Sequence, residues 1–181
     1  RQAVTGDLAV MPRSFDVTTE TSAGVAEVQA AFSEKDYWLA RLVAYGGDSM
    51  TLDSLVVDPG GTVVVRTTQD LRQDMLPAGI ARMLPGDTKI MRTETWRPVS
   101  DQTSGQAHGD FIICARGVPS SGAGTMVLEP SEIGSRLRVR GTLEVRIPVV
   151  GGRIERYVAD LNAKEGPQMQ QFTAAWIAGE A

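Results

Sequence analysis

The sequence has one cysteine and one histidine in 181 residues, Cys114 and His108. A single cysteine rules out an internal disulfide and a cysteine-built metal cage. A single histidine leaves histidine-based zinc sites and most Ser-His-Asp triads without their raw material. Excess positive charge is also missing: 18 Lys and Arg face 22 Asp and Glu, a net charge of −4. A nucleic-acid-binding surface would be basic, so no nucleic-acid partner is expected, and nothing draws the chain to an anionic membrane. No apolar run approaches 18 residues, so no stable membrane insertion is expected. Residues 1–10, RQAVTGDLAV, lack the basic start and apolar stretch of a signal peptide. With Met11-Pro12 behind them, they read as an N-terminal extension or expression remnant. Residues 11–181 then form one domain, with a cytoplasmic location as the default.

What is present is an ordinary globular composition, 42% hydrophobic and 22% charged, at a length that suits one domain. Arg13 to Glu20 alternates, with Phe15 and Val17 on one side, as a half-buried strand does. Thr21-Ser22 offers capping hydroxyls, and Val25, Val28 and Phe32 follow at helical spacing over about residues 23–32. Ser33 and Asp36 form a capping signal for a second helix. On it Trp38, Leu42 and Tyr45 share a stripe that Gly46-Gly47 ends.

The middle of the chain is strand-rich. Strands are expected at 50–57, 62–71, 88–97, 106–116, about 123–129, and from 136 to 147. The last alternates most cleanly: Leu137, Val139, Gly141, Leu143, Val145 and Ile147 face one way, and Arg136, Arg138, Arg140, Thr142, Glu144 and Arg146 the other. Hairpin-length connections make the sheet antiparallel. From about 152 to 178 the spacing is helical again, with Ile154, Val158, Leu161, Met169, Phe172 and Trp176 in one stripe widened by Tyr157 and Ile177. Gly166-Pro167 inside it predicts a kink.

A sheet with one polar face must cover its apolar face, and only the C-terminal helix is long enough to do so. The fold is therefore α+β: a curved antiparallel sheet of six to seven strands around a long C-terminal helix, with two short helices after the first strand. The strings SFDVTTE, SAGVAEVQAAFSEKDYWLARL, TETWRPV and IPVVGGRIERYV carry a resemblance to the START-like (SRPBCC, Bet v 1-like) helix-grip superfamily, in a bacterial branch without an assigned activity. It covers essentially residues 12–178. The resemblance implies a cavity between sheet and long helix that holds an apolar ligand.

Within that frame, the apolar segment Met75, Leu76, Ile80, Met83 and Leu84 reads as a lid at the cavity mouth or as a small satellite core. Trp38, Tyr45, Trp96, Phe111, Tyr157 and Phe172 are the aromatics expected near a cavity, with plain core packing as the ordinary alternative. Leu42, Leu161 and Met169 complete the expected lining. Arg92 and Glu94 alternate with Ile90 and Trp96. Outward, they are a solvated pair, which the rarity of buried charge favours. Inward, they could hold a polar head group. His108 and Asp110 share a strand face, but a strand-surface histidine is the better reading. Cys114 reads as a buried small hydrophobe. The arginines at 136, 138, 140 and 146 read as a solvated convex face, and the scattered glycines as bends, with no phosphate-loop pattern. No cofactor is implied. The expected function is binding or transport of an apolar, lipid-like or polyketide-like small molecule. A cyclase- or dehydratase-type enzyme using Glu94, Arg92, His108, Asp110 or Tyr157 is the first alternative. An interaction module with a filled core is the second.

Overall fold

The computed structural model describes residues 11–181, so the reading of residues 1–10 as an extension lies outside the described residues. Strand β1 (Arg13–Thr21) leads into helices α1 (Val25–Phe32) and α2 (Lys35–Gly46). Strands β2 (Met50–Val57) and β3 (Val63–Asp70) follow. A single turn of helix, α3 (Ala78–Ala81), interrupts the run. Then come β4 (Lys89–Arg97), β5 (Ala107–Arg116), β6 (Ser120–Pro130), β7 (Ser135–Val145) and the long helix α4 (Gly151–Ala178). All seven strands form one sheet in the order β1-β7-β6-β5-β4-β3-β2, every pair antiparallel. This is the expected helix-grip architecture.

Local details differ from the sequence reading in instructive ways. The Ser33 hydroxyl does not cap α2; it donates back to the carbonyl of Gln29 in α1, and Glu34 holds the cap position without a side-chain bond. Thr21 and Ser22 do not cap α1 either. There the Gly24 amide donates to the Glu27 carboxylate at 2.8 Å. Gly47 does end α2 as expected, at φ 55, a left-handed conformation that glycine adopts without strain. Helix α4 runs as one element through Gly166-Pro167. Gly166 lets it approach β1 closely, since a Cβ there would lie 3.3 Å from Thr19 and 3.5 Å from Val17.

The convex face carries the arginine row, balanced as expected. Arg136 pairs with Glu20, and Arg138 and Arg140 with Asp16. Cys114 is a correction: it lies half-buried on this convex face, not in the core. The run Phe111-Ile112-Ile113-Cys114 has no alternation to reveal its sides, and the register puts Phe111 inward and Cys114 outward. His108 is exposed on the same face, and Asp110 there pairs with Arg97 at 2.6 Å.

Among the described residues the interior contains two separate apolar clusters. The larger joins α1, α2 and one end of the sheet around Val28, Phe32, Tyr37, Trp38, Val65, Trp96, Phe111 and Leu128. The smaller joins Ile80, Val118, Val145 and Ile154 at the other end. Helix α4 contributes to both, through Phe172, Trp176 and Ile177 to the first and Ile154, Tyr157 and Val158 to the second. Its close packing is chiefly on β1 and β7.

Candidate functional site

One row of residues crosses the concave face from edge to edge: Leu55, Val65, Glu94, Phe111, Gly124, Gly141 and Phe15, each paired with the next. The two adjacent glycines make room for an aromatic ring. A Cβ on Gly124 would lie 2.6 Å from the Phe111 ring, and one on Gly141 would lie 2.9 Å from both Phe111 and Phe15. The glycines expected as bends thus also seat Phe111, which stacks on Phe15 with centroids 6.1 Å apart.

Glu94 and Arg92 point inward, which corrects the reading of a solvated surface pair. Arg92 Nε donates to Glu94 Oε1 at 2.6 Å, and Trp96 Nε1 to Glu94 Oε2 at 3.2 Å. The Glu94 side chain is only 9% exposed and that of Arg92 30%. The Arg92 guanidinium also lies over the Phe111 ring, 4.7 Å from its centroid. Burial alone would push the Glu94 carboxyl up, but attraction to Arg92 and Arg41, with the bonds from Arg92 and Trp96, holds it below the usual carboxylate value.

Arg41 was not among the expected site residues, and neither was Tyr37. Tyr37, Arg41 and Tyr45 recur every fourth residue on α2, which places all three on one helix face; that spacing is the signal that could have found them. Arg41 sits over the ring of Trp38 at 4.9 Å and donates to the Tyr37 hydroxyl and to Met169 Sδ, both at 3.4 Å. Burial works against its charge, yet attraction to Tyr37, Glu94 and Tyr45 outweighs that and holds its pKa above the ordinary value. The Tyr37 hydroxyl is fixed in turn by Thr173 of α4 at 2.8 Å.

The remaining expected residues fall into three groups. Trp38, Leu42 and Trp96 are fully packed; Trp38 donates to the Phe32 carbonyl at 2.7 Å and acts as core and as the floor under Arg41. Tyr45, Phe111, Met169 and Phe172 lie around the charged group between sheet and α4, with Tyr45 edge-on to Phe172, and Leu161 is half-buried farther along α4. Leu76, Ile80, Met83, Leu84 and Tyr157 gather in the smaller cluster at the far end, while Met75 is 49% exposed. The segment 75–84 therefore has the packing of a satellite core around Ile80.

Between the two clusters lies a waist in which inward side chains keep partial solvent contact: Arg13, Ile90, Arg92 and Leu143 on the sheet, and Leu161, Glu165 and Met169 on α4, with Ile113 beside them packed against the larger cluster. Burial pushes the Glu165 carboxyl up, with Lys164 pulling it back. Two open depressions, of about 190 and 380 Å³, lie elsewhere, beside α1; neither is lined by Arg41, Arg92 or Glu94. Among the described residues no cluster of His, Cys, Asp and Glu is arranged to hold a metal ion, and no helix is long and apolar enough to cross a membrane.

Residues 16–177 match the family described as protein of unknown function DUF2505. The chain belongs to that family. The uncharacterized protein Rv0481c of Mycobacterium tuberculosis is 38% identical to this DUF2505 chain over 173 residues, 92% of this chain and 98% of the relative. Among solved structures, TTHA0849 from Thermus thermophilus covers 93% of this chain and 99% of its own at 18% identity, with a TM-score of 0.55. Dicamba monooxygenase bound to 3,6-dichlorosalicylic acid covers 92% of this chain and 50% of its own at 11% identity, with a TM-score of 0.54. These likenesses show the fold of the DUF2505 chain, an α+β helix-grip domain.

Proposed function

We propose that the space between the sheet and α4 binds an apolar small molecule, with the charged waist orienting it. The observation that carries this reading is the Glu94–Arg92 pair held on the concave face under α4. Glu94 lies between Val65 and Phe111 at the edge of the larger cluster, and Arg92 extends from it into the half-buried waist. A buried ion pair is a poor source of stability, since desolvation offsets most of its attraction. Its position at the waist suits a site where a few polar groups fix the pose of a mostly apolar ligand. Dicamba monooxygenase, half of whose chain this fold covers, is known bound to 3,6-dichlorosalicylic acid, a small aromatic molecule.

Catalysis draws less support. Of the acid and base candidates, His108 and Asp110 face outward and Tyr157 lies in the far cluster. Only Arg92 and Glu94 come together, and Glu94 is held as an ionised acceptor with both oxygens engaged.

Nile red, a neutral apolar dye, is expected to bind the purified protein with a blue-shifted emission. Native mass spectrometry after bacterial expression is expected to show an apolar species retained. Ile113→Trp fills the waist from β5 and is expected to abolish dye binding while the protein stays folded. No dye binding by the unaltered protein, or equal binding by the Trp variant, overturns the reading.

A further inference from the structure

One guanidinium beside the waist, that of Arg41, has no carboxylate bound to it among the described residues. Arg92 is matched by Glu94, whose two oxygens already accept from Arg92 and Trp96. Arg41 has no carboxylate within ion-pair distance among the described residues; its two acceptors are a phenolic oxygen and a thioether sulfur, each at 3.4 Å. A guanidinium offers five donors in a planar fork, and a thioether is a weak acceptor, so most of that capacity is unused. Arg13 faces the same side by strand alternation, and its Nε is buried with no partner among the described residues. Glu165 lies by Tyr45, its carboxyl pushed up by burial, and the buried Glu155 accepts from the Val145 amide. Arg41 thus stands near the Glu94–Arg92 pair with no carboxylate bound to it.

The Arg41 charge is sustained by attraction to Tyr37, Glu94 and Tyr45, but most of its donors meet no protein acceptor among the described residues. The guanidinium is nonetheless fixed in geometry: it lies over Trp38 at 4.9 Å, is held by Tyr37, and Tyr37 is held by Thr173. A pre-oriented planar fork is what binds a carboxylate through two parallel bonds. We propose that the ligand is a carboxylic acid, an apolar acyl or aryl acid whose anionic end is bound by Arg41, which presupposes that the waist binds a small molecule at all. The apolar part lies against Phe111, Phe172 and Leu161, and the carboxylate replaces the weak contact from Arg41 to Met169.

The test compares 11-(dansylamino)undecanoic acid with its methyl ester, which keeps the chain and removes the charge, in fluorescence titrations of the full chain at pH 7. Charge-assisted bonds are about twice as strong as neutral ones, so the acid is expected to bind roughly 10-fold more tightly or better. Arg41→Gln is expected to reduce the acid to the level of the ester and leave ester binding within about 2-fold, since apolar burial supplies the shared part. Arg41→Lys keeps charge without the fork and is expected to retain part of the preference. Circular dichroism checks that both variants fold, and the acid-ester comparison on the unaltered protein decides without them. Equal binding of acid and ester, or a preference that survives Arg41→Gln, overturns the assignment while leaving the small-molecule site standing. Binding of neither removes the site and this ligand class together.

Discussion

Glu94→Gln isolates the buried charge without changing the shape of the side chain. The amide oxygen can accept from only one of Trp96 and Arg92, so one of these bonds is lost, and Arg92 and Arg41 lose the anion that faces them. Two unit charges about 4 Å apart attract by ~4 kcal/mol at an effective dielectric of ~20. Removing one partner of a buried pair costs about 3–5 kcal/mol. Arg92 keeps partial water contact at 30% exposed, so the expected loss is at or just below the low end, about 2–3 kcal/mol. Urea denaturation followed by tryptophan fluorescence measures it, with Trp38 and Trp96 as reporters close to the site. The penalty should also depend on pH. Glu94 has a folded pKa below its ordinary value of 4.5; its contribution is therefore full above that value and lost as pH falls through the lowered one. The gap between the two proteins should shrink between pH 6 and pH 3. Replacing both partners, as Arg92→Met with Glu94→Leu, should recover most of the stability, because neither charge is then stranded. A change below about 0.5 kcal/mol at pH 7, the size of a surface pair, would refute the burial argument. So would a penalty that persists unchanged at pH 3.

Two further changes probe the frame around the site. Gly141→Ala places a Cβ 2.6 Å from the Ala123 carbonyl and 2.9 Å from Phe111; it should destabilise by about 1–3 kcal/mol and red-shift bound Nile red, as thermal melts and dye titration would show. Val149→Gly relieves a β-branched residue held at φ 71 while 98% exposed, and should stabilise by about 1 kcal/mol in urea titrations.

The architecture was legible because its signals are periodic. Residues 136–147 alternate without error, and the apolar stripe from Ile154 to Trp176 can only be a long helix. The site was less legible because its decisive relations cross between strands. In the run 89–97, one side carries Ile90, Arg92, Glu94 and Trp96, and the other Met91, Thr93, Thr95 and Arg97. Both sides are mixed, so alternation alone cannot choose between them. The choice is made by Val65 and Phe111, which flank Glu94 from the neighbouring strands. Arg41 escaped notice for a related reason. The stripe Trp38, Leu42 and Tyr45 was read as the inner face of α2, and Arg41 lies one step beside it, where a charged residue is ordinarily solvated. Only the approach of Met169 from α4 encloses it. The lid reading of 75–84 was left open by its broken pattern, and the packing of Ile80 against Val118, Val145 and Ile154 gives that segment a core of its own.

Helix α4 packs on a cluster at each end, and between them its ladder has a gap beside the point where Gly166 meets β1. Pro167 has no amide hydrogen to donate to the carbonyl of Ala163, so one rung of the helical ladder is missing midway along the ~40 Å span. The gap falls between the residues that grip the smaller cluster, up to Val158, and those that grip the larger, from Phe172. The two grips need not let go together. Amide exchange should run fastest near residues 163–167 and slow toward both anchors, so the middle of the beam yields before either end.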